Sequence, residues 1–367
     1  IGAILGAFER ELSEVAEAVQ PEVSEDDKFR STSHRDPLGV CVSIAPWNFP
    51  VLMPHWLVLP ALAVGNAVIL KPSELTPMCA QMYADVLNRV LPEGVLQVVH
   101  GRDEQGKALV AGEVDLIVFT GSRDAGRHVM QAASTGLKRL ILELGSKDPL
   151  IVLADADVDA AADFAAQNSF RNCGQVCVST ERIYVERSVA DRFMQRLLER
   201  TAAVRVGRGL DKDTDMGPMI DARQRDHVMS QIEDAVRDGA TLLAGGKIVE
   251  GNLLEPTVLS GVTHAMRISR EETFGPVAAV QIVADENEAV ACANDSELGL
   301  GGVVFAEPTH AEEVARRLEV GMVGINKSIG GAAGTPWVGA KQSGLGFHSS
   351  VDGHRQFCQS RVVSRAR

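Results

Sequence analysis

Between Pro37 and Leu144 the chain alternates short runs of β-branched and aliphatic residues with longer stretches of helical period. The short runs predict strands over Val40 to Ile44, Ala67 to Leu70, Val95 to Val99, Leu116 to Phe119 and Arg139 to Leu142. Helices are predicted over Met53 to Val64, Thr76 to Val90, Gln105 to Ala111 and Ala125 to Ala133. Each connection is long enough for a right-handed crossover, so the pattern predicts a doubly wound parallel sheet of the nucleotide-binding type. Ligands of such sheets sit beyond the carboxyl ends of the strands. Those ends fall at Pro46 to Pro50, Lys71 to Glu74 and Thr120 to Gly126, loops of polar residues with Gly or Pro.

A second alternating series starts with the apolar run at Leu150 and continues through a helix from Val158, a strand at Arg182 to Val185 and a helix from Val189. Past a Gly217-Pro218 turn it predicts a helix over Ala222 to Asp238 and strands near Val277 to Val283 and Gly301 to Phe305. A domain boundary is expected around Gly145. Lys28 to Arg35 and Gly353 to Arg365 mix β-capable residues with charges and are expected to pair as an exposed ribbon.

The length of 367 residues fits two domains, and 45% hydrophobic but only 4% aromatic residues predict cores built from aliphatic side chains. A net charge of -13 argues against nucleic acid and anionic membranes as partners. No apolar run approaches membrane-spanning length and no signal peptide is visible, so the six cysteines read as reduced thiols and the expected location is cytoplasmic. The chain opens at Ile1, without Met, into a pattern suited to the middle of a helix, which suggests further residues upstream.

No His-Glu-x-x-His, Cys-x-x-Cys, Gly-x-Ser-x-Gly or Gly-x-Gly-x-x-Gly occurs, and no metal site is expected. Gly101 to Ala108 imitates a phosphate-binding loop, but Ala108 stands where Ser or Thr would hold magnesium, and Asp103 and Glu104 would repel phosphate. An ordinary strand-to-helix turn is expected there. The richest segment is Phe170-Arg-Asn-Cys-Gly-Gln-Val-Cys177. Its two cysteines are either small buried hydrophobes or include a nucleophile. Glu143 ends the last strand of the first domain, at the expected interdomain crevice, where a carboxylate base could serve a thiol from the second. Asn48, on a loop stiffened by Pro46 and Pro50, is suited to donate toward an oxyanion.

Seven segments in common order, Pro46-Trp-Asn-Phe-Pro50, Lys71-Pro-Ser-Glu74, Phe119-Thr-Gly-Ser122, Glu143-Leu-Gly145, Gly174-Gln-Val-Cys177, Glu271-Glu-Thr-Phe-Gly-Pro276 and Lys341-Gln-Ser-Gly344, resemble the aldehyde dehydrogenase superfamily. The resemblance implies an α/β fold with a Rossmann-like NAD-binding domain over 37–144 and an α/β catalytic domain over 145–350. A small β oligomerisation element would come from 1–36, which also holds an N-terminal helix, and 351–367. It also implies a homodimer or homotetramer. Cys177 would be the nucleophile, Asn48 and the Cys177 N–H the oxyanion donors, and Glu143 the base that hydrolyses the thioester. Pro46, Trp47, Lys71, Ser73, Glu74, Gly121, Ser122, Glu272 and Phe274 match the cofactor positions. Glu74 would repel a 2'-phosphate, favouring NAD over NADP.

Phe49, Trp56 and Arg171 match substrate positions. The Phe-Arg-Asn run is similar to that of succinic semialdehyde dehydrogenases, which suggests an aldehyde carrying a carboxylate. Those enzymes use a second Arg where this chain has Trp56. Further departures are Ser146, in place of a Gly, and Leu298, in place of a Tyr; part of the usual N-terminal region is also absent. Two alternatives stand beside this reading: a truncated or inactive member that binds nucleotide or partner subunits without turnover, and a cofactor-independent thioesterase.

Overall fold

The computed structural model describes residues 1–367, apart from the side chain of Ala3. The chain divides into two compact units. The first comprises Ile1–Leu144, Gly331–Val338 and Gly344–Arg367, and the second Gly145–Gly330 and Gly339–Ser343.

The first unit is organised on the strands Val40–Ile44, Ala67–Lys71, Leu96–Val98, Leu116–Thr120 and Arg139–Glu143. All are parallel, and Val40–Ile44 lies between Ala67–Lys71 and Leu116–Thr120. Gly344–Leu345 adds an antiparallel edge beside Arg139–Glu143. The strands are short and apolar because helices cover both faces. Leu116 and Val118 join the cluster containing Leu57, Val58, Ala80 and Ala84, while Ile117 and Phe119 join Val110, Val129 and Leu142 on the other side. That alternation is the two-residue period of a strand. The chain winds outward in both directions from Val40–Ile44, so the ends of this strand and of Leu116–Thr120 flank the topological switch point, where such sheets take their ligands.

The second unit holds a seven-stranded sheet in the order Thr241–Ala244, Thr257–Ser260, Val277–Val283, Thr180–Glu186, Asp148–Val152, Gly301–Phe305 and Met322–Ile325. Only the first of these runs antiparallel to its neighbour. Its two faces carry separate cores, with Leu150, Ile183 and Val185 on one and Ile151, Tyr184 and Val304 on the other.

As the sequence predicts, the two ends of the chain pair. Phe29–Pro37 runs antiparallel to Cys358–Ala366 along its whole length, with Glu22–Glu25 beyond it. The short helix Ser350–Arg355 occupies the start of the segment predicted as extended. No helix among the described residues is long and apolar enough to cross a membrane.

Candidate active site

Apart from Trp56, on the helix Leu52–Ala63, the chemistry-bearing residues of the first unit stand at or just beyond carboxyl ends of its strands. After Val40–Ile44 the chain turns through Pro46 to Pro50 into the helix Leu52–Ala63; the Phe49 carbonyl accepts from Met53 N at 3.0 Å, starting that helix. The two prolines stiffen the turn, and Pro46, Trp47, Asn48 and Phe49 are all half-buried. Lys71, the last residue of the next strand, is buried; its Nζ donates to the Pro72 carbonyl at 3.2 Å. Burial depresses its pKa, and the nearby Glu74 and Asp103 carboxylates partly restore it. Ser73 Oγ accepts from Leu75 N at 3.2 Å, leading the chain to Glu74, which is exposed.

After Leu116–Thr120, Gly121 N donates to the Glu143 carbonyl at 3.0 Å. Ser122 then caps the helix Arg123–Ser134, its Oγ accepting from Ala125 N at 3.4 Å. One turn into this helix, a Cβ at Gly126 would overlap Leu144, so glycine lets the helix start lie close to the sheet. The result is a capped helix N-terminus at the switch point, the arrangement that receives a pyrophosphate. By contrast, the segment at Gly101 is a plain turn. Arg102 N donates to Gln105 Oε1 at 3.0 Å as the helix Asp103–Ala111 begins.

Glu143 closes the last of these strands and is only 5% exposed. Its Oε2 accepts from Thr120 Oγ1 at 3.4 Å, whereas Oε1 is buried without a hydrogen-bond partner. Trp56 lies 5.7 Å, ring to ring, from Trp337, and both are half-buried.

In the second unit, the helix Val158–Phe170 runs into a tight turn at Arg171–Gly174. Asn172, Cys173 and Gly174 are all left-handed, with φ of 50°, 58° and 68°. A Cβ at Gly174 would overlap the Gly275 carbonyl, so only glycine fits. For the other two the conformation costs about 1–2 kcal/mol each. Gln175, almost fully buried, holds the turn: its Nε2 donates to Asn172 O at 3.0 Å and its Oε1 accepts from Ile220 N at 2.8 Å.

This turn separates the two thiols. Cys173 is 1% exposed, with Sγ 3.4 Å from Met219 Sδ, and burial pushes its pKa up to about 12. Cys177 is half-buried and can be reached. Beyond it, Asn168 anchors the chain by donating to the Val178 carbonyl at 3.0 Å and to Thr180 Oγ1 at 2.9 Å. Arg171 is exposed.

A buried framework positions the turn at Glu272–Phe274. Glu181 accepts from Thr273 N at 2.7 Å and Phe274 N at 2.8 Å, and pairs with Lys147 Nζ at 2.6 Å. Gln224 Nε2 donates to the carbonyls of Thr273 and Phe274 at 3.1 and 3.2 Å, fixing Phe274 at φ 48°. Glu272 Oε1 accepts from Ser146 N at 2.8 Å; burial, then the Glu181 charge, raises its pKa well above the usual carboxylate range. Gln175, Lys147, Glu181 and Trp337 carry no site role in the sequence reading. Lys147 lies in the polar run Ser146-Lys-Asp148 and Glu181 in Thr180-Glu-Arg182, so no local pattern marked them as buried.

Among the described residues, no group of three or more His, Cys, Asp and Glu side chains could hold a metal ion. The residues present do fit a dinucleotide: a capped helix start at the switch point, a cation at the end of Ala67–Lys71 on the other side of Val40–Ile44, and a carboxylate three residues on.

Comparison with known proteins agrees with this arrangement. The profile described as "Aldehyde dehydrogenase family" matches residues 4–363. The betaine aldehyde dehydrogenase of Brucella melitensis is 41% identical over 340 residues, covering 90% of this chain and 70% of that protein. The crystal structure of an aldehyde dehydrogenase from Brucella melitensis biovar abortus 2308 superposes with a TM-score of 0.94 at 38% identity, covering 98% of this chain and 76% of that one. The betaine aldehyde dehydrogenase of Staphylococcus aureus, solved in complex with NAD+, gives a TM-score of 0.91 at 35% identity over 97% of this chain and 74% of that one. With the sheet order, the capped helix at the switch point and the accessible thiol already in place, a match over nearly the whole length establishes that this chain belongs to the aldehyde dehydrogenase family.

Proposed function

We propose that the chain oxidises an aldehyde to the carboxylic acid with NAD+, using Cys177 as nucleophile and Glu143 as the base for hydrolysis. The observation that carries this reading is the contrast between the two thiols: Cys173 is sealed against Met219, while Cys177 can be reached at the end of a turn held by Gln175. As thiolate, Cys177 adds to the aldehyde carbon, and the Asn48 amide with the Cys177 N–H stabilises the oxyanion. Bound NAD+ supplies the hydride acceptor. Lys71, Ser73 and Glu74 would hold its adenosine end, with Pro46 and Trp47 beside them. Gly121 and Ser122 would take the pyrophosphate, and Glu272 and Phe274 the nicotinamide end. The Glu74 carboxylate disfavours a 2'-phosphate, consistent with NAD as the cofactor. Glu143 then takes a proton from the water that attacks the thioester, releasing acid and thiolate.

The far end of the substrate is read as charged. The indole faces of Trp56 and Trp337 suit a quaternary ammonium through cation–π attraction, consistent with relatives named for betaine aldehyde. The exposed guanidinium of Arg171 favours a second reading, a semialdehyde acid. The ribbon of Phe29–Pro37 and Cys358–Ala366 supports assembly into a homodimer or homotetramer, and six free cysteines support a cytoplasmic setting.

NADH absorbance with a panel of aldehydes tests the reaction. Cys177→Ser should lower turnover by roughly a hundredfold or more. Cys173→Ser should keep it while losing about 1–3 kcal/mol of stability through a buried hydroxyl. Glu143→Gln should release one burst of NADH per site and then stall. A thioesterase or a nucleotide binder without turnover would make no NADH with any aldehyde.

A further inference from the structure

Glu143 has a neighbour that the reaction above does not use. His348 Nε2 lies 3.8 Å from Glu143 Oε2, and the imidazole is 1% exposed. The same Nε2 has no hydrogen-bond partner among the described residues, like Oε1 of Glu143. An acid and an imidazole, both buried and both short of a partner, are costly to keep as packing alone. Their separation is too long for a direct hydrogen bond, as catalytic contacts often are in the unliganded state.

The surroundings of His348 suit it to carry a proton for a short time. Its ring stands against Trp56 at 5.5 Å and against Trp337 at 6.5 Å with an interplanar angle of 19°. Aromatic faces on a buried imidazolium stabilise its charge. Nδ1 lies 3.1 Å from Ser349 Oγ, which is half-buried. With Nδ1–H donating to that hydroxyl, the lone pair of Nε2 faces Glu143. The backbone fixes this pose: Trp337 pairs with His348 across a two-stranded ladder, and Ser349 and Ser350 take φ of 60° and 65°, strain of the kind that gathers at functional positions.

We propose that His348 is the positioning residue behind Glu143, accepting the proton that Glu143 takes from the hydrolytic water. This rests on the reading of Glu143 as the base. As the water oxygen bonds to the thioester carbon, its proton passes to the Glu143 carboxylate and the C–S bond breaks to return the Cys177 thiolate. Glu143 then passes the proton to His348 Nε2. The imidazolium loses its Nδ1 proton to Ser349 Oγ as that hydroxyl gives its own to solvent, and Glu143 is an anion again. Exchange of the ring protons with solvent returns His348 from the Nε2–H to the Nδ1–H tautomer before the next turnover. Nothing is oxidised or reduced in these steps.

Other ionisable groups near the ring are engaged elsewhere. On Leu52–Ala63, His55 bonds Glu11 at 2.9 Å and Tyr83 at 3.2 Å. On Ser350–Arg355, Asp352 pairs with Arg355, while His354, near Glu14, has its pKa pushed down to about 4 by burial and so stays neutral over the working range.

The test compares the NADH burst with the slower phase that follows it, in the whole protein and in His348→Gln, whose amide can hold Glu143 but cannot take a proton. The burst should be unchanged in amplitude and rate. The later phase should slow about tenfold or more, and its acid-side pH dependence should flatten. Parental turnover with an unchanged pH profile, or loss of the burst together with turnover, would overturn the proposal. Should His348→Gln fail to fold, the unsubstituted protein decides. In mixtures of H2O and D2O its later phase should depend on more than one transferring proton, and a strictly single-proton dependence refutes the proposal. Glu143→Gln separates the two ideas. If it stalls while His348→Gln does not, only His348 is misassigned; if it turns over freely, the reading of Glu143 fails first.

Discussion

Trp56 and Arg171 make opposite demands on the substrate at the scale of single residues. An indole face attracts a cation by about 0.5–2 kcal/mol, and a charge-assisted hydrogen bond to a carboxylate is worth about 1.5–3 kcal/mol. Comparing kcat/KM for betaine aldehyde, succinic semialdehyde and an uncharged aldehyde separates them. If the aromatic pair reads the substrate, Trp56→Ala should reduce selectivity for the cation over the neutral aldehyde by about twofold to thirtyfold. Arg171→Leu should then affect all three alike. If Arg171 reads it, that substitution costs the acid alone about tenfold or more. The two cysteines show how far residue types can be read in a sequence. Their spacing left open which one is buried. A left-handed turn and contact with Met219 settled that, and φ angles are not written in residue type except at glycine.

At the scale of elements, His310 on the helix Pro308–Ala315 ties two neighbours together. Its Nδ1 lies 2.8 Å from Asp155 and its Nε2 2.6 Å from Glu286, which also pairs with Arg317. The hydrogen bond to Glu286 and then that to Asp155 raise its pKa to about 9. Because this folded value exceeds the unfolded value of about 6.5, the tie stabilises fully below about pH 6.5 and is lost as pH rises through about 9. The melting temperature of His310→Gln should therefore fall below that of the parent at low pH and converge with it above about pH 9. For a pair this open to solvent the gap should be a few degrees at most, on the order of 1 kcal/mol or less. Elements themselves were the most legible level. Val40–Ile44, Val277–Val283 and Gly301–Phe305 match their predicted spans, because strands buried on both faces write continuous apolar runs. Ends were less legible. The predicted helix to Val90 stops at Leu87, since fraying ends are set by capping and packing.

On the scale of the whole molecule, the ribbon offers an edge for self-association. In its sheet, Cys358–Ala366 pairs on one side only, and Val362 and Val363 are 62% and 52% exposed. An uncovered edge strand is a template for another chain, and here it presents two exposed valines between Arg361 and Arg365. Val362→Asp combined with Val363→Asp should shift the mass measured by light scattering toward the single chain. A parent that is already monomeric would refute assembly through this edge.

The sequence by itself determined the alternation of strands and helices over 37–144, part of the second sheet, the loops at the strand ends and the family, since these rest on local periodicity and on motifs in register; the strands Thr241–Ala244, Thr257–Ser260 and Met322–Ile325 were not legible in it. Tertiary structure alone decided that Gly331–Val338 and Gly344–Arg367 return to the first unit, that Trp337 meets Trp56, and that His348 stands behind Glu143. It also buried Lys147 with Glu181 beneath the Glu272 turn. Each of these joins residues far apart in the chain, and such contacts leave no period in the sequence. They are chosen by which faces remain to be buried once the sheets have formed.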